Sequence, residues 1–313
     1  MNLIAEATNY LINTVPLCDW VEGRQVINEI SGHPSSHWLL PERACLAEGG
    51  TSELAIPVVA AIAALHTSII MVDDLLDQDG HFESLGLSTG DVADLAQGLA
   101  FAGLNAIFCS SIKPDIKDLI MHNLTQMMVH TAIGQYGDAH RKIEDENEYW
   151  QNVRAKSSPF FASVFYIGAL AGGAAVDTAD KYSQIGGLYG EMIQIHDDLK
   201  DALQTPAAQD WADGHTSLPI LYASNVDHFK KGRFLNLRTF INQPDNLLEA
   251  QNILLRCGAV SYCNQQLIKR YHQAKQILDS MEISNRGPME AVFKKIVEPV
   301  FQLFNKINAP LPV

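Results

Sequence analysis

Apolar residues recur at three- and four-residue spacing along most of the chain, and no stretch shows the strict alternation, bounded by hairpin turns, of a half-buried strand. Leu3 to Ile30 follow the helical spacing, with Pro16 parting two short helices. SGHPSSHWLLPER, Ser31–Arg43, reads as a loop from its Pro, Gly and Ser content. Thr51 or Ser52 caps the next helix, which has Glu53 in its first turn and Pro57 near its start and runs through HTSIIMVDDLLD, His66–Asp77. The polar Gln78–Gly90 follows as a surface loop. Asp91 opens an Ala-rich helix to about Ile112 and Pro114 restarts the next, while the acids of EDENEYW, Glu144–Trp150, suit the positive end of another helix dipole. Small residues in IGALAGGAA, Ile167–Ala175, allow close packing. Tyr182–Leu203 is the helix that ends in GEMIQIHDDLKD, and Thr205–Pro219 a second polar loop. Further helices are expected at about 218–223, 246–257, 262–281 and 288–307. With no low-complexity linker and no solenoid repeat, the pattern predicts one all-α domain over residues 1–313.

Composition agrees with a globular chain: 47% hydrophobic and 19% charged residues leave much apolar surface to bury. The 22 Lys+Arg against 36 Asp+Glu, net −14, disfavour a nucleic-acid partner, which needs clustered positive charge. Cys18, Cys45, Cys109, Cys257 and Cys263 are odd in number and lack CxxC spacing, so neither a disulfide framework nor a zinc site is suggested. MNLIAEATNY lacks the basic start and apolar core of a signal peptide, and no uninterrupted apolar stretch reaches about eighteen residues. A cytoplasmic protein with no membrane span is expected.

Two acidic triads change the picture. Asp73, Asp74 and Asp77 end one apolar helix, and Asp197, Asp198 and Asp201 end another. The first and last member of each lie one turn apart on one helix face. Such crowding of like charge marks either a solvated helix end or a site for hard cations, which Mg²⁺ fills with help from water and substrate phosphate. Repetition of the triad after two long apolar helices favours the metal. Two facing triads would hold a metal cluster with a diphosphate between them.

The residues that carry this pattern resemble the class I trans-isoprenyl diphosphate synthases, or polyprenyl synthetases, over roughly Ser31 to Asn225. DDLLD at Asp73–Asp77 and DDLKD at Asp197–Asp201 match the family's two Asp-rich motifs. LH at Leu65–His66, GQYGD at Gly134–Asp138, RAKSSPFF at Arg154–Phe161 and IQIHDD at Ile193–Asp198 support them. The resemblance implies a single large helical bundle of the isoprenoid synthase type around a central apolar cavity, and homodimerisation. It also implies roughly three Mg²⁺ ions gripping the diphosphate of an allylic prenyl substrate, so that the departing diphosphate leaves a carbocation. Asp73, Asp77 and Asp197 would be the principal ligands, with Asp74, Asp198 and Asp201 direct or water-mediated. Lys156 would clamp the diphosphate and Gln194 sit beside the first carbons of the chain. Gln135 and Asp138 are either substrate contacts or helix-packing groups. His66 matches a histidine of the isopentenyl diphosphate site, although a lone His on an apolar helix is more often a core residue. Tyr136, Phe160, Phe161, Phe165 and Tyr189 are candidates to face the cation. Small Ser68, five residues before the first triad, leaves room for a chain of about fifteen to twenty carbons or longer, with Met71, Phe101 or Phe108 able to close the tunnel lower down.

Departures from the family bear on the second substrate. Where chain-lengthening members carry Gly-Lys-Arg-x-Arg-Pro, this chain reads HPSSHWLLP; QDGHFESLG replaces the Arg-Arg-Gly after the first triad; GHTS puts His215 in place of a lysine. Each lost cation removes a charge-assisted contact worth about 1.5–3 kcal/mol. The reading is therefore an isoprenoid synthase that ionises one allylic diphosphate, followed by cyclisation, water capture or transfer to another acceptor. Two alternatives stay open: an ordinary synthase using isopentenyl diphosphate, with cations from Arg43 or Arg141, and a partner subunit of an active synthase.

Overall fold

The computed structural model describes residues 2–14, 16–77, 80, 82, 86–140, 143–208, 211 and 216–306, with side chains as far as residue 301. Every regular element among them is helical. The chain falls into two compact units: Met1–His130, Phe160–Gly186 and Ser280–Val292 make up the first, and Thr131–Pro159, Gly187–Asp279 and Phe293–Val313 the second.

The first unit contains α1 (Leu3–Ile12), α2 (Val21–Ser31), α3 (Leu40–Ala47), α4 (Ser52–Asp77) and α5 (Thr89–Phe108), and α6 (Pro114–His140) begins in it. α4 is its core helix: Val58, Val59, Ile62, Leu65 and Met71 are fully buried. Among the described helices, α4 is the one long and apolar enough to cross a membrane, and 61% of its most apolar window is buried within the protein. α5 packs closely on it because Gly103 carries no side chain: a Cβ there would stand 2.9 Å from the Ala61 carbonyl and 2.9 Å from the Leu65 side chain. The expected helix starts shift slightly at α5. Ser88 and Asp91 form a reciprocal capping box, so the helix opens at Thr89 rather than Asp91. The expected loop Ser31–Arg43 contains a 3₁₀ turn, Ser36–Leu39, and the start of α3. Pro41 made this segment read as loop, yet proline suits a first helical turn, where its missing N–H costs nothing.

The second unit holds α7 (Glu146–Lys156) and the C-terminal part of α9 (Val176–Leu203), which begins before the expected Tyr182. α8 (Ser158–Gly172) starts at its edge. It continues with α10 (Leu218–Asn225), α11 (Lys231–Arg238), α12 (Pro244–Cys257) and α13 (Ala259–Asp279), and takes in most of α14 (Gly287–Lys306). α11 had no counterpart in the pattern: KGRFLNLR shows two strongly apolar positions inward, Phe234 and Leu237, and these complete a core with Trp211, Ile253 and Leu254. The five cysteines are free thiols.

Candidate active site

In the second unit, α9 turns Gln194, Asp198 and Asp201 toward a small cleft of about 90 Å³ that Asp138 of α6 and Tyr149 and Lys156 of α7 also line. α6 and α7 approach this closely because of Gly134, where a Cβ would stand 2.2 Å from the Ala155 carbonyl oxygen. The Lys156 ammonium donates to Asp138 Oδ2 at 2.8 Å, and Asn152 Nδ2 donates to Asp138 Oδ1 at 2.6 Å. Asp138 thus holds the cation on the cleft wall. Ser157 donates its hydroxyl to Gln194 Oε1 at 2.8 Å, which leaves the amide of Gln194 to donate to Asp198 Oδ1 at 2.9 Å. Gln135 lies buried on α6.

The carboxylates at this end of α9 are crowded, and Asp197, expected as a principal ligand, is not among the residues that line the cleft. Asp197 keeps more than a third of its surface open, yet dehydration of its carboxyl, and then repulsion from Asp201 and Asp198, push its pKa up to about 6, against the pull of Lys200. Burial also raises Asp198 to about 6, in spite of the hydrogen bonds it accepts. Among the described residues no three His, Cys, Asp or Glu side chains converge closely enough to hold a metal ion by themselves. Mg²⁺ does not require that: it binds through one or two carboxylates, with waters and substrate phosphates supplying the other oxygens. Hard oxygen donors and their mutual repulsion fit that ion, and the neighbouring lysine suits the anionic phosphate that would accompany it.

In the first unit the C-terminal turn of α4 carries Asp73 half-buried, Asp74 buried and Asp77 exposed. Asp74 Oδ2 accepts the Phe82 N–H at 3.5 Å. Further back on α4, Ser68 is buried and His66 accepts the Trp38 indole N–H on Nδ1 at 3.2 Å. His66 lies 4.8 Å from the Phe160 ring, and His37 stands edge-on to Phe161 at 4.9 Å. Burial, and then the nearby His37, depress the His66 pKa to about 3, so its imidazole is neutral. Phe160, Phe161, Phe165 and Tyr189 are buried. Tyr136, expected with them, is instead 67% exposed and stacks on His140. Met71 is buried in α4, whereas Phe101 and Phe108 protrude from α5 beside an apolar groove of about 640 Å³.

The polyprenyl synthetase family profile matches residues 36–250. The chain belongs to the polyprenyl synthetase family. A geranylgeranyl diphosphate synthase of Methanosarcina mazei is 25% identical over 251 residues, 74% of this chain and 75% of its own. A short chain isoprenyl diphosphate synthase of Methanothermobacter thermautotrophicus is 25% identical over 255 residues, 76% of this chain and 78% of its own. The fold is that of a geranylgeranyl pyrophosphate synthetase from Pyrococcus horikoshii, at a TM-score of 0.79 and 19% identity, covering 95% of this chain and 94% of that one. The all-α bundle of the isoprenoid synthase type and the prenyltransferase class expected from the sequence are both borne out.

Placed in this family, the cleft in the second unit gathers Asp138, Lys156, Gln194, Asp198 and Asp201, while Asp73, Asp74, Asp77, His66, Ser68 and Phe161 belong to the first unit. Arg141, His215 and most of Gln78–Leu85 lie outside the described residues. Phe82, expected in a surface loop, is buried. Sequence reasoning missed Tyr149, whose hydroxyl donates to Asp198 Oδ2 at 2.7 Å. Its position two helical turns before Lys156, on the same face of α7, was the available signal. It also missed Trp38, which occupies the polar, proline-bearing segment read as loop.

Proposed function

We propose that the chain is a Mg²⁺-dependent trans-prenyl diphosphate synthase that joins an allylic prenyl diphosphate to isopentenyl diphosphate. What carries this reading is the pairing of family membership with a cleft in which Lys156 stands beside Gln194, Asp198 and Asp201. The relatives from M. mazei and M. thermautotrophicus are named as synthases of prenyl diphosphates, which favours a diphosphate product over a cyclised one. Asp73 and Asp77 of the first unit and Asp197 and Asp201 of the second are the carboxylates that would hold Mg²⁺, which when bound would supply neutralisation of the charge on the leaving diphosphate. Lys156 turns from Asp138 to the diphosphate, a stronger anion, as the C1–O bond of the substrate breaks. Ser157 fixes the Gln194 amide beside the first carbons. Arg43, half-buried on α3, is a cation available to the acceptor. The enzyme is further proposed to be a homodimer joined through α5.

One observation favours a second reading, ionisation followed by cyclisation, water capture or another acceptor. HPSSHWLLP holds no Lys or Arg, and its His37 and Trp38 contact phenylalanine and a neutral His66 where the family's clamp is cationic. The deciding experiment measures pyrophosphate release with Mg²⁺ and geranyl, farnesyl or geranylgeranyl diphosphate, with and without isopentenyl diphosphate, and identifies the product by mass. Release that requires isopentenyl diphosphate and yields a longer diphosphate is expected. Release without it, yielding a hydrocarbon or alcohol, establishes the second reading, and no release in either arm overturns both.

A further inference from the structure

The middle aspartates of the two triads are their most buried members, although Asp198 lines the cleft together with Asp201. Asp74 is 9% and Asp198 5% exposed, whereas Asp77 and Asp197 are open and Asp73 and Asp201 half-buried. Helix geometry requires part of this, since successive residues are turned by about 100°. What Asp198 meets there is specific. Its Oδ2 accepts the Tyr149 hydroxyl at 2.7 Å and the Leu218 N–H at 2.6 Å, and its Oδ1 accepts the Gln194 amide at 2.9 Å. Leu218 opens α10, whose preceding Ser217 supplies no side-chain cap. The Asp198 carboxylate takes that place, where unpaired N–H groups and the helix dipole favour an anion. Gln194 in turn receives the Ser157 hydroxyl, next to Lys156. A metal bond to Oδ2 would compete with two donors already seated on that atom. Asp74 makes the same kind of contact in the first unit, to the Phe82 N–H beyond its own motif.

We infer that Asp198 is a positioning residue rather than a metal ligand, and that Tyr149 holds it in that role. Together they fix the Gln194 amide and the start of α10, and leave the metal to Asp197 and Asp201. The inference rests on the metal-binding reading of the second triad and separates its members.

The test titrates Mn²⁺ with inorganic pyrophosphate, following free Mn²⁺ by electron paramagnetic resonance, in the wild type, Asp197→Asn and Asp198→Asn. Asp198→Asn is expected to keep its Mn²⁺ affinity within about twofold, while Asp197→Asn weakens it at least about tenfold. Tyr149→Phe removes one hydroxyl, so kcat should fall about tenfold with the KM for the allylic diphosphate changed less than about twofold. Amide exchange at Leu218–Tyr222 should speed up in the same variant. Loss of Mn²⁺ affinity in Asp198→Asn equal to that in Asp197→Asn overturns the inference, as does unchanged exchange and kcat in Tyr149→Phe. Wild-type Mn²⁺ affinity in Asp197→Asn would bring down the metal assignment instead, and the two Tyr149→Phe readouts would still decide the positioning role.

Discussion

Trp38 and His66 form a pair whose protonation links packing to pH. The imidazole accepts the indole N–H and sits against Phe160, so a proton on it would lose that acceptor and charge a buried ring. Its pKa therefore falls from 6.5 to about 3. For a base depressed in the folded state, the unfolded chain takes up the proton first. Stability is full above pH 6.5 and drains as pH falls toward the folded value. By pH 4.5 the loss from this one residue should be about 2.7 kcal/mol. Urea unfolding of wild type and His66→Gln at neutral and mildly acid pH checks it, because glutamine can still accept from Trp38 but does not titrate. Equal pH slopes in the two proteins would refute the link. At this scale the sequence marked His66 through its helix and its LH motif. It left open whether the ring was a ligand or a core group, because Trp38 lies far from it along the chain.

Three helices of the second unit are tied at Glu191. Arg270 of α13 donates from Nε at 2.6 Å and Arg154 of α7 at 2.9 Å, while the Arg270 guanidinium lies 3.4 Å over the Trp150 ring. Glu191 and Arg270 are buried, with side chains 8% and 6% exposed, whereas Arg154 is 60% exposed. The two ion pairs should thus behave differently. Breaking a buried pair strands a charge away from water, so Glu191→Gln should destabilise the protein by about 3 kcal/mol or more. Arg154→Ala should cost less than about 1 kcal/mol, since that pair is largely solvated. Chemical denaturation of both variants tests the contrast, and equal losses would contradict it. The element order α4 to α9 was legible, save for the break between α7 and α8, which had read as one helix, because long apolar runs, Pro114 and the acidic start of α7 are local signals. α3 and α11 were not, since each is short and owes its helix to tertiary packing rather than periodicity. The Glu191 network was equally hidden, joining residues far apart in sequence that nothing in the pattern pairs. The triads could be read for the opposite reason: adjacent carboxylates on one helix are a contradiction visible without a fold.

A net charge of −14 opposes both the binding of a diphosphate and the approach of a second copy, so association of this chain must draw on buried apolar surface. α5 offers it. Phe101 and Phe108 lie two turns apart on one face, each 67% exposed, and border the groove with Leu11, Leu17 and Trp20. Val129 on α6 adds to the exposed apolar surface of the same unit. Large side chains left open together in this way mark an interaction surface. If that surface joins two copies, the double variant Phe101→Glu, Phe108→Glu should sediment as a monomer at concentrations where the wild type is a dimer. Four added negative charges per dimer would then sit where apolar area is buried. Higher salt should tighten the wild-type dimer by screening repulsion between two acidic chains. It should not restore the variant, whose carboxylates would be desolvated at any ionic strength. A wild-type monomer throughout, or a variant that dimerises normally, would refute association through α5.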